Sequence, residues 1–243
     1  MWFRTGGPRV ALTLGLSAIA GSAALAGSDA PTTEIFAGVE GNDNSTQGYV
    51  GAGYAFGNGL YAAGFRLRAV GAFGGYTYQS ALGDSAHADF DGKDAFGSVL
   101  IGYQFGDGST VFRVFAGIEA ENQDITPHDP NNSVQGSAVG LRLQAESWFD
   151  ISERTFLSVD AAYGTAFQEY WSLARLGYRL TPTLSIGVEG GTLGNEEYNA
   201  GRGGGFLRFN VLAMEITLSG GFTGNYLDDQ PSGYASVGIY RRF

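Results

Sequence analysis

The stretch that decides the fold runs from Ser133 to Asp150, S-V-Q-G-S-A-V-G-L-R-L-Q-A-E-S-W-F-D. From Val139 onward its side chains sort by parity. Val139, Leu141, Leu143, Ala145 and Phe149 fall on one side, interrupted by Ser147, and Arg142, Gln144, Glu146 and Trp148 fall on the other. A period of two belongs to a strand, whose successive side chains point to opposite faces. Strands of soluble sandwiches average about 5–6 residues; this one is much longer and carries both signs of charge on its polar face. A strand that crosses a bilayer needs roughly 9–11 tilted residues with an apolar outer face and a polar lumen face. Both conditions are met, so the segment predicts a wall strand of a transmembrane β-barrel.

The same alternation recurs along the chain, with strands expected near 33–41, 47–56, 60–79, 93–105, 109–123, 133–149, 155–166, 168–180, 184–193, 200–209, 212–223 and 232–243. Short turns are expected at Gly57-Asn58-Gly59, Gly106-Asp107-Gly108, Ile151 to Arg154, Thr181-Pro182-Thr183 and around Asn210. Longer loops are expected near 80–92, 124–132, 194–199 and 224–231, with shorter ones near 42–46 and 167. Outer-membrane barrels separate short periplasmic turns from longer outer loops in this way, and an even strand count puts both termini in the periplasm.

Ahead of these strands, Arg4 and Arg9 precede a brief apolar run from Val10 to Ala20, and Ala24-Leu25-Ala26 supplies small residues for cleavage. These are the three parts of a secretory signal peptide. The expected organisation is therefore a signal peptide over 1–26 and, over 27–243, an all-β fold: a single closed antiparallel transmembrane β-barrel of about 12 strands. The expected location is the bacterial outer membrane, with membrane lipid, lipopolysaccharide and the barrel-assembly machinery as partners.

Composition agrees. Glycine supplies 40 of 243 residues and charged residues only 16%, against usual values of about 7% and 25%. Losing the leader leaves 12 basic against 24 acidic residues, which excludes nucleic acid as a partner. Cysteine is absent, so no disulfide staples the fold. The chain ends on Phe243 after Ala235, Val237 and Ile239 alternate toward it. A terminal aromatic of this kind resembles the barrel-assembly signal, although Arg241 stands where an aromatic is usual.

Register assigns the faces. Rows such as Phe112, Val114, Ala116 and Ile118, or Ala174, Leu176, Tyr178 and Leu180, point to lipid. The opposite parity sends Arg66, Arg68, Arg113, Arg142, Arg175, Arg179 and Arg208 into the lumen with Glu34, Glu40, Glu119, Glu121, Glu146, Asp160, Glu189 and Glu215. These basic residues are all arginine, whose planar fork holds carboxylates bidentately where lysine offers a point charge. The set reads as an ion-pair lattice that braces a narrow barrel, or as the lining of a sugar or ion path.

Nothing resembles a catalytic constellation. The histidines, His87 and His128, fall in expected outer loops, away from any nucleophile at the wall. The Gly51–Gly57 and Gly201–Gly205 strings lack nucleotide-binding spacing. Asp84, Asp89, Asp91 and Asp94 make one loop acidic without calcium-loop spacing. The reading is of a protein that is not an enzyme, with no cofactor and no metal.

The run Asp129-Pro130-Asn131-Asn132-Ser133-Val134-Gln135-Gly136, continuing to Gln144, Glu146 and Trp148, resembles the cellulose biosynthesis protein BcsS family of alphaproteobacteria. Similar segments are F-A-G-V-E at Phe36 to Glu40, G-F-R-L-R at Gly64 to Arg68, L-I-G-Y-Q-F at Leu100 to Phe105, and the run from Leu176 to Asn195. The resemblance implies an accessory role in bacterial cellulose production, assisting export or surface organisation of the polymer, with cellulose and secretion components as partners. A general oligosaccharide porin and a purely structural barrel remain alternatives. On this reading Asp129, Asn131, Asn132 and Tyr226 become candidate glycan contacts in the outer loops, with Phe90, Gln123 and Tyr198 beside them.

Overall fold

The computed structural model describes residues 30–83, 85–225 and 230–243. The strands are β1 (Thr33–Asn42), β2 (Ser45–Ala55), β3 (Gly64–Leu82), β4 (Ser85–Asp107), β5 (Thr110–Thr126), β6 (Gly136–Asp150), β7 (Thr155–Gly164), β8 (Tyr170–Thr181), β9 (Leu184–Gly194), β10 (Asn199–Val211), β11 (Met214–Asn225) and β12 (Gln230–Arg242). Each pairs antiparallel with its sequence neighbours, and β1 also pairs with β12, with Phe36 opposite Tyr240 and Val39 opposite Val237. The sheet is a closed 12-strand barrel with no free edge. Closure satisfies the backbone groups that hydrocarbon cannot.

Parity holds around the wall. Val139, Leu141 and Leu143 are 79%, 65% and 60% exposed, while Arg142 between them is 1% exposed. At the end carrying Ala30 and Phe243, aromatic rings meet edge to face on the outer face, Tyr54 with Phe56 at 5.1 Å and Phe65 with Tyr103 at 5.1 Å. Such belts sit where lipid meets water. Inward glycines make room for large lumen side chains: a β-carbon at Gly53 would stand 2.6 Å from the Glu34 carboxylate.

The structure moves β6 to begin at Gly136, so the loop before it is 127–135 rather than 124–132, and it corrects three further boundaries. Residues 80–92 form no open loop: β3 and β4 continue as a paired ribbon, with Tyr78 opposite Phe90 and Gln79 opposite Asp89. Beyond the lipid the outward face turns polar, so the hydropathy signal fades while pairing persists. The connection after β2 is not the short turn 57–59 but spans 56–63. Its Leu60-Tyr61-Ala62 run imitates a lipid-facing strand, yet Leu60 is buried and its amide donates to the Pro31 carbonyl at 2.8 Å. The turn placed around Asn210 lies at Leu212 and Ala213, both in the left-handed region with φ of 53° and 60°.

Candidate functional site

The lumen is the candidate site, and it is filled. Arg68, Arg142, Glu34, Glu119 and Glu146 are each no more than 2% exposed, and Arg113 is 5% exposed. Side chains lining a wet channel would be open to water; these pack on one another.

Four clusters account for the charges. In the first, Glu34 accepts from Arg68 at 2.8 Å, from the Tyr240 hydroxyl at 2.8 Å and from Arg113 at 3.5 Å. Arg68 reaches across from β3 to pair with Glu146 on β6. Its guanidinium lies 4.5 Å from the Phe115 ring centre. Arg113 also donates to Gln104 at 2.8 Å, and Gln104 donates to the carbonyls of Leu60 and Ala62. Arg66 donates to the carbonyls of Gly59, Leu60 and Ala62, so it holds the 56–63 connection against the lumen.

In the second, Arg175 donates to Glu189 at 2.7 Å, and Arg202 links Glu189 at 3.1 Å to Glu40 at 2.8 Å, with the Tyr234 hydroxyl donating to Glu189 at 2.6 Å. In the third, Arg142 donates to Glu119 at 3.0 Å and lies 4.0 Å from Glu169, which folds in from the connection between β7 and β8. Glu121 accepts from Gln123 at 2.6 Å, and Asp94 accepts from Gln47 at 3.3 Å. In the fourth, Arg208 pairs with Glu215 at 3.2 Å and Arg179 with Asp150 at 2.5 Å, around the stacked rings of Trp148 and Phe156, 4.4 Å apart. Asp160 is buried on β7 opposite Glu146.

Arg202, Asp150 and Glu169 belong to these clusters but stand outside the set read from the sequence. Arg202 shares the parity of Arg208 on β10, so the register already contained it. Glu169 lies outside any strand and leaves no periodic signal.

At the end opposite the termini, the 127–135 loop crosses toward the far wall. Asp129, fully buried, accepts from the Tyr78 hydroxyl at 3.0 Å, and the buried Asn132 donates to that same hydroxyl at 3.1 Å. The exposed Asn131 donates from its side chain to the Ala81 carbonyl at 3.0 Å. Ser133 donates to Glu197 at 2.7 Å, tying the loop to the one between β9 and β10. Burial pushes the Tyr198 hydroxyl there up to about 12. Phe90 and Gln123 lie on strands and face inward, because pairing carries both strands past the lipid. Tyr226 and Asp84 lie outside the described residues. Asp89, Asp91 and both histidines are exposed, and among the described residues no cluster could hold a metal ion.

At the terminal end the filling stops short of the mouth. A cavity of about 940 Å³ opens there, bordered by Pro31, by the tight turns and by Arg242. Phe243 closes the adjoining seam: its carbonyl accepts from the amides of Thr32 and Thr33, and its amide donates to the Thr33 carbonyl.

Solved barrels share this architecture. An outer-membrane channel from Pseudomonas putida F1 superposes with a TM-score of 0.55 at 11% identity, covering 89% of this chain and 97% of that one. The transport unit of the autotransporter AIDA-I from Escherichia coli gives 0.52 at 8% identity over 88% and 89%. The translocator domain of the autotransporter NalP from Neisseria meningitidis gives 0.51 at 11% identity over 90% of each. At these identities the likeness is one of fold. No curated protein sequence matches the chain significantly. The profile of one family matches residues 35–243, nearly the whole barrel, and the chain accordingly belongs to the cellulose biosynthesis protein BcsS family.

Proposed function

We propose that this barrel sits in the bacterial outer membrane, delivered by the leader over 1–26 and assembled through its Phe243 end, and serves cellulose production as a non-enzymatic accessory that assists export or surface organisation of the polymer. The terminal end then faces the periplasm and the long ribbon faces outside. The family match over 35–243 carries the reading. The packed lumen weighs against a general oligosaccharide porin, because buried ion pairs occupy the path a solute would take. The polymer is met at the two mouths, outside through the exposed groups of the loops, such as Asn131.

Deletion and complementation test the role. Loss of the gene lowers surface cellulose, and the wild-type copy restores it. Unchanged surface cellulose in the deletion strain would remove the assignment.

A further inference from the structure

We propose that the cup at the periplasmic end binds a short segment of a neutral glucan chain. That the polyol is a glucan, and that the cup faces the periplasm, rest on the function proposed above; the cup and its chemistry do not.

Its volume, about 940 Å³, lies at the upper end of the roughly 300–1,000 Å³ of small-ligand sites. Its floor is closed by Tyr240 bonded to Glu34 and by Arg208 paired with Glu215. A chain end can enter and be held, but it cannot pass.

The lining suits hydroxyls that both donate and accept. Asp150, Glu153 and Glu215 offer carboxylates, Arg179 and Arg242 offer guanidiniums, and Asn210 offers an amide; each can meet a sugar hydroxyl. Two tyrosines flank Arg242, whose guanidinium lies 5.2 Å from the Tyr61 ring centre and 5.6 Å from that of Tyr240. Tyr61 is only partly buried, and its aromatic surface can take the apolar face of a pyranose ring; Tyr240, 5% exposed, belongs to the floor.

Charge narrows the class. Arg179 is already engaged by Asp150 at 2.5 Å and by the Glu153 carbonyl at 3.1 Å. With three carboxylates against two guanidiniums on the lining, an anionic sugar or a phosphate finds no free cluster of cations. The same bonds fix the walls: Asp150 also accepts from the Trp148 indole at 3.1 Å, most lining groups stand on strand ends and tight turns, and Tyr61 stands on the 56–63 connection held by Arg66 and Gln104, so little ordering is needed on binding.

The test is calorimetric titration of the purified barrel in detergent with cellobiose and cellohexaose, and with an oligogalacturonate and inorganic phosphate as anionic comparators. Cellohexaose is expected to bind saturably and more tightly than cellobiose. Tyr61→Ala with Asn210→Ala, or Arg242→Ala alone, weakens it at least tenfold, while His87→Ala on the outer ribbon leaves it unchanged; the heat-dependent gel shift of a folded barrel checks each variant. No saturable binding, binding that survives the cup variants, or preference for the anionic comparators overturns the proposal. A barrel that fails to bind while gene deletion still lowers surface cellulose loses the cup and keeps the role. One that binds while deletion leaves cellulose unchanged keeps the cup and loses the role.

Discussion

Arg68 shows what a single lumen residue contributes. It joins Glu34 and Glu146 across the barrel and is 2% exposed. Two buried charges gain little over a well-packed apolar pair, but removing one partner strands the other without water, at a cost of roughly 3–5 kcal/mol. Arg68→Ala should therefore lower the midpoint of detergent-solubilised unfolding, and the conservative Arg68→Lys should recover only part of the loss because an ammonium lacks the fork. Stability equal to wild type in Arg68→Ala would mean that water already fills the site. A smaller effect of opposite sign sits at the turn between β10 and β11, where Leu212 and Ala213 hold the positive φ of a two-residue hairpin. Left-handed backbone costs ordinary residues about 1–2 kcal/mol each, and Asn-Gly suits such turns best. Leu212→Asn with Ala213→Gly should raise stability by about 1 kcal/mol; a decrease would show that the turn relies on its side chains.

At the scale of elements, parity was legible wherever lipid faces the wall and illegible wherever it does not. On β6, Leu141 and Arg142 declare opposite faces because hydrocarbon and lumen differ so sharply. On the ribbon of β3 and β4, water replaces lipid outside, so Tyr78 and Phe90 mark only one side and the strands read as a loop. Residues 56–63 mislead for the converse reason, since an apolar run whose Leu60 is buried, and whose backbone is held by Pro31, Arg66 and Gln104, looks like wall. The contacts among Asp129, Asn132 and Tyr78 join residues far apart in sequence, and no local pattern announces them. Two tests follow. Leu141→Arg puts a charge on the lipid face and should cost roughly 2–4 kcal/mol if it sits at the bilayer midplane, read as loss of the heat-modifiable folded band; an undisturbed band would contradict the register of β6. Tyr78→Phe removes one donor and one acceptor from the 127–135 loop and should speed proteolysis there several-fold while the barrel band persists; unchanged proteolysis would show the loop held by other contacts.

For the whole molecule, strand number and closure follow from alternation alone, whereas occlusion of the lumen does not. Occlusion depends on how far side chains reach across, as Arg68 reaches Glu146 and Arg202 reaches Glu40. Composition could not separate a lattice from a polar pore lining, since both use the same residues. Geometry separates them, because a pore would expose Arg142 and Glu119 where this barrel buries both. Single-channel recording in planar bilayers tests this most directly. The wild-type barrel should show no stable open level, while Arg68→Ala together with Arg113→Ala opens an ion-conducting path; a steady wild-type conductance comparable with that of a general porin would contradict the closed lumen.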